Sequence, residues 1–80
     1  MRDEVIAAAL MALAKERAPR TFCPSEAARR LEPDWRPLMA QVRRVAATLP
    51  LDATQKGRPV DPLTTTGPIR LALGDARQTD

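Results

Sequence analysis

Apolar residues along the first part of the chain recur at helical spacing. Ile6, Leu10 and Leu13 fall at i, i+4 and i+7, which puts them on one face of a helix. The pattern predicts a helix from about Asp3 to Arg17, with alanines filling the turns between and favouring helix intrinsically. Asp3 and Glu4 sit at its positive dipole end, and Lys15 and Arg17 at its negative end. Pro19 stops it. The segment Arg20-Thr21-Phe22-Cys23 has room only for a turn or a stub of strand. Pro24 suits a first helical position, because its missing N–H costs nothing there. A short helix from Pro24 to Leu31 then turns Ala27, Ala28 and Leu31 inward.

The clearest amphipathic pattern follows the break at Glu32-Pro33. Asp34 is a good N-cap, and Pro37 falls within the tolerant first turn. Trp35, Leu38, Met39, Val42, Val45, Ala46 and Leu49 form a stripe that spans an arc of about 120° on a helix. Arg36, Ala40, Arg43, Arg44 and Ala47 occupy the other side. Pro50 ends the helix, and the period changes to alternation. Leu51 and Ala53 alternate with Asp52 and Thr54, and Ile69, Leu71 and Leu73 with Arg70 and Ala72. Both runs read as strands. The stretch from Lys56 to Pro68, dense in Gly, Pro and Thr, reads as the loop between them.

The expected architecture is α+β and mainly α: a winged helix-turn-helix of three helices followed by a two-stranded β-hairpin wing. A lone hairpin is marginal in water, so its apolar residues Leu51, Ile69 and Leu71 must cover the helices. The domain is expected over residues 1–73, with a polar, disordered tail over 74–80.

Several motifs in order carry a family resemblance. They are Cys23-Pro24-Ser25-Glu26-Ala27-Ala28-Arg29, Trp35-Arg36-Pro37-Leu38-Met39, Val42-Arg43, the run Thr54 to Pro62, and Gly67-Pro68-Ile69-Arg70-Leu71. Together they resemble a small bacterial family of uncharacterised proteins catalogued as a domain of unknown function with a winged-helix fold. The resemblance covers nearly the whole chain and implies a fold. It brings no activity with it.

Composition narrows the function classes. Eighty residues make one domain at most, and a core of this size is marginal without a disulfide, a metal or a second copy. One cysteine excludes an intrachain disulfide, and the absence of histidine leaves zinc-type ligation unsupplied. No general base of the histidine kind, Gly-rich phosphate loop or metal motif is present, so no enzyme and no cofactor is expected. The acidic residues near the N-terminus and the lack of a cleavage site argue against a signal peptide, and no apolar run is long enough to span a bilayer. A cytoplasmic protein is expected, in keeping with a lone thiol.

The formal net charge is +3, the pI is about 10.0, and all but two of the basic residues are arginine. In a helix-turn-helix the second helix of the pair enters the major groove. Arg36, Gln41, Arg43 and Arg44 on the third helix, with Lys56 and Arg58 in the wing, therefore form the candidate nucleic-acid-binding surface. Arginine can pair with guanine and glutamine with adenine, each through two hydrogen bonds. Trp35 and Phe22 are the only aromatic residues, too few for a base-stacking surface, which favours duplex over single strands. Double-stranded DNA is the expected partner and a transcriptional regulator the expected role. The same surface could instead serve a protein-interaction module, with a solvated basic face. Cys23, just before a helix, is either a capping thiol or a redox sensor. The outer side of the first helix (Val5, Ala8, Ala12) is either solvent-facing or a homodimer contact.

Overall fold

A computed structural model describes residues 1–74. Three helices pack on a three-stranded antiparallel sheet. Helix α1 spans Asp3–Arg17 and α2 Pro24–Leu31; a 3-10 turn over Arg36–Leu38 leads into α3, Met39–Ala46. Strands β1 (Leu51–Gln55), β2 (Arg58–Pro59) and β3 (Arg70–Leu73) pair in the order β2-β1-β3.

The first two helices form where the spacing predicts. Helix α1 buries Ile6, Leu10, Leu13 and Ala14, the face set by the i, i+4, i+7 repeat. At the start of α2, Pro24 occupies the first turn and the Glu26 carboxylate accepts a hydrogen bond from the Cys23 N–H at 3.1 Å. That bond satisfies a donor which the helix itself leaves open.

The third helix is shorter than the apolar stripe suggests. Pro37 has no N–H to give to an α-helical ladder, and the chain enters through the tighter 3-10 turn, with Leu38 N–H on Trp35 O at 2.9 Å. At the other end, the Thr48 N–H (2.9 Å) and hydroxyl (2.7 Å) both donate to Val45 O. This i→i−3 closure ends α3 before Leu49, which is half-buried. Trp35, expected inside, is also only half-buried.

The two-stranded wing is corrected to a three-stranded sheet. Lys56 and Gly57 both have positive φ, 52° and 80°, which is the requirement of a tight type I′ hairpin. They fold β2 back on β1, pairing Gln55 with Arg58 and Thr54 with Pro59. Pro59 sits at a non-hydrogen-bonding position of this edge strand, where its missing N–H faces away from β1, and the Val60 N–H beyond it donates to Ala53 O at 2.9 Å. Only residues 60–69 form the long connection, to β3 on the other side of β1. The Arg20–Cys23 stub adds one bridge: Phe22 N–H donates to Leu71 O at 2.7 Å and Leu71 N–H returns to Phe22 O at 2.8 Å.

The core lies where α1 crosses α2, α3 and the inner sheet face. Phe22, Val42, Val45, Ala53, Ile69 and Leu71 close over the α1 stripe. Ile69 and Leu71 cover the helices as expected, and Leu51 does so in part. Gly74 belongs to this unit rather than to a tail. Its N–H donates to Pro50 O at 2.8 Å, and a Cβ there would stand 2.8 Å from the same oxygen. Residues 75–80, the rest of the expected tail, lie outside the described residues.

Candidate functional site

The expected surface residues fall into two groups by what they touch. On α3, Arg43 is half-buried: its Nε donates to Pro62 O at 3.1 Å and its Nη2 to Thr65 O at 2.8 Å. It is a strut beneath the loop that follows the β1–β2 hairpin rather than an outward-facing group. The loop presents those carbonyls because Asp61 organises it, accepting from Leu63 N–H (2.8 Å) on its side chain and from Thr65 N–H (3.0 Å) on its carbonyl. Gln55 pins the far side, its Nε2 donating to Thr66 O at 2.8 Å and Pro68 O at 3.2 Å.

The next residue, Arg44, points elsewhere and meets the start of α1. Its Nη1 and Nη2 donate to the two Asp3 carboxylate oxygens at 3.0 and 2.9 Å, the two-pronged geometry that planar guanidinium favours. Gln41 Nε2 adds bonds to Asp3 Oδ1 at 2.8 Å and Met1 O at 2.6 Å. The bonds from Arg44, and then from Gln41, hold the Asp3 carboxyl below its ordinary pKa. Asp3 therefore stays charged at neutral pH and occupies the hydrogen-bonding edge of two expected binding residues.

Arg36, Lys56 and Arg58 are exposed and, among the described residues, have no carboxylate partner. Arg36 instead lies over the Trp35 ring, with its guanidinium carbon 4.7 Å from the ring centre. Arg29, at the end of α2, lies over the same ring at 4.5 Å. Such cation–π contacts leave the guanidinium edges available for anions. Arg29 and Trp35 are additions to the expected set. Their contact crosses the Glu32-Pro33 break, so no helical spacing announces it.

All these residues lie inside one family match. The model of a family described as protein of unknown function, DUF3253, covers residues 3–74. The chain belongs to the DUF3253 family. No curated protein matches it. The DUF3253 match runs from the first residue of α1 through β3 to Gly74, so Asp3 and the cations of α3 and the hairpin all fall within it.

Other chemistry is sparse. Among the described residues no group of three or more His, Cys, Asp or Glu could hold a metal ion, and no helix is long and apolar enough to cross a membrane. Cys23 is half-buried, with Sγ 3.1 Å from Ser25 Oγ.

Proposed function

We propose that this chain is a winged-helix domain that binds double-stranded DNA, with α3 against the major groove and the β1–β2 hairpin against the phosphate backbone. The element order supports the fold reading: helix, bridged stub at Phe22, helix, helix, strand, hairpin and returning strand. The observation that carries the DNA reading is the Arg43 strut. By holding the Pro62 and Thr65 carbonyls, it fixes the segment after the hairpin to α3. The carboxylate-free cations Arg36, Lys56 and Arg58 then ride on one rigid unit, which spares the ordering entropy of binding with a loose arm. Ala40 on α3 and Ala47, the residue that caps its C-terminal end, are exposed and give a small-residue surface that a groove wall can approach closely. Regulation of transcription, in the cytoplasm of the cell, is the role this reading suggests.

The test is titration of duplex DNA at low salt beside one of its single strands. The reading predicts tighter binding of the duplex, and equal or absent binding of both would overturn it. A second reading, a protein-interaction module, is favoured by one observation: Leu63, on the loop that Arg43 anchors, is 58% exposed. A Leu63→Ser variant separates the two, since DNA binding should survive it and a protein contact should not.

A further inference from the structure

We propose that the cavity between the end of α1 and β3 is a separate binding site for a phosphate group, free or on a small phosphorylated ligand. The cavity is about 490 Å³ and is lined by Arg17, Pro19, Arg20, Thr21 and Arg70. Local structure brings these residues together. The Arg20 N–H donates to Arg17 O at 2.7 Å, closing the turn that sets Arg20 beside the end of α1. The Phe22–Leu71 bridge then brings Thr21 alongside Arg70.

The three guanidinium groups are unequally engaged. Arg17 Nη2 pairs with Glu26 Oε1 at 2.7 Å. The other Glu26 oxygen is taken by the Cys23 N–H, so this carboxylate is committed to the helix start. Arg70 donates Nε to Thr21 Oγ1 at 3.1 Å and Nη2 to Thr21 O at 3.3 Å, both neutral acceptors. The Arg20 side chain has no hydrogen bond or ion pair among the described residues. Against three cations stands one carboxylate. Elsewhere α1 meets arginines with acids: Glu16 with Arg30 and Asp3 with Arg44. Here the excess is left in a concave site.

A phosphate group supplies what this cavity lacks. A phosphomonoester carries about −1.5 to −2 charge near neutral pH and presents three acceptor oxygens. The whole Arg20 fork and Arg70 Nη1 are available as charged donors. Thr21 Oγ1 accepts from Arg70 and keeps its own hydroxyl hydrogen to donate outward. Arg70 also lines the neighbouring cavity with Lys56, so an occupant would sit one strand from the hairpin. None of the lining residues belongs to α3 or to the hairpin, and the site does not depend on DNA being bound.

The experiment is a titration with inorganic phosphate at constant ionic strength, followed by backbone amide NMR with chloride as the control. Saturable shifts at Arg20, Thr21 and Arg70 are expected, weakened about tenfold or more in Arg20→Ala, as removal of one charge-assisted contact implies. Arg70→Gln should lose the response as well, with the Phe22 and Leu71 amides unmoved as a check on the fold. Shifts that are linear in phosphate, matched by chloride or unchanged in Arg20→Ala would overturn the proposal. So would the outcome in which phosphate does not saturate while Arg20→Ala weakens duplex binding, because the cluster would then be a DNA-backbone contact.

Discussion

The α3 helix and the β1–β2 hairpin carry similar positive charge in sequence and quite different charge in space. On α3, Arg44 and Gln41 are closed around Asp3, and Arg43 is spent on loop carbonyls. On the hairpin, Lys56 in the turn and Arg58 at the start of β2 are exposed, with no carboxylate opposite them among the described residues. Electrostatic steering depends on the field that remains after internal pairing, so a count of basic residues overstates what a helix offers a polyanion. The hairpin and the Arg29–Trp35–Arg36 stack offer their charge at once; α3 offers Arg44 only if Asp3 lets go.

The largest effect is expected from reversing the available charges. Lys56→Glu with Arg58→Glu should weaken duplex binding on the order of 100-fold at low salt and leave thermal stability nearly unchanged. Comparable loss from Arg44→Glu alone would erase the distinction between the two regions. Next comes the strut. Arg43→Ala should cost about 1–2 kcal/mol of stability through lost charge-assisted bonds, read as a fall in Tm of about 5–15 °C. It should also weaken DNA binding by freeing the hairpin segment. Unchanged Tm would show that the loop is held without it.

A smaller and opposite effect is expected at Asp3. Asp3→Asn removes the charge that occupies Arg44, so duplex affinity should rise severalfold, with the salt dependence steepened by about 0.9 for one added phosphate contact. An unchanged affinity would place Arg44 outside the interface. The smallest effect is on pH. The folded Asp3 carboxyl lies below its ordinary value because of Arg44 and Gln41. Its contribution to stability is thus full above the unfolded pKa of about 3.9 and is lost as pH falls through the lower folded value. The Tm difference between wild type and Asp3→Asn should be constant through neutral pH and vanish only in acid. A difference that changes near pH 6–7 would point to some other group.

Much of this fold is legible in the residues. The α1 stripe, the short α2 after Pro24 and the switch from helical to alternating period at Pro50 each follow from local rules, and each element lies where they put it. The hairpin was hidden because Lys56-Gly57 lacks the usual asparagine or aspartate of a type I′ turn and because Pro59 resembles a loop residue. The candidate residues were legible as types but not as roles. The partners of Arg43 and Arg44 lie 19 to 41 residues away in sequence, and no periodicity within α3 encodes such contacts. Asp3, read as a helix-dipole residue, proved to be the counter-ion of α3 as well. Asp61 carries no periodic signal either, and its carboxylate and carbonyl are occupied in shaping the loop after the hairpin.

The salt dependence of duplex binding by the unmodified chain is the most direct test of the DNA reading. Four phosphate contacts, from Arg29, Arg36, Lys56 and Arg58, with Arg44 held by Asp3, predict a slope of about −4 in a plot of log K against log salt concentration. A slope near zero, or no duplex binding at low salt, would contradict it.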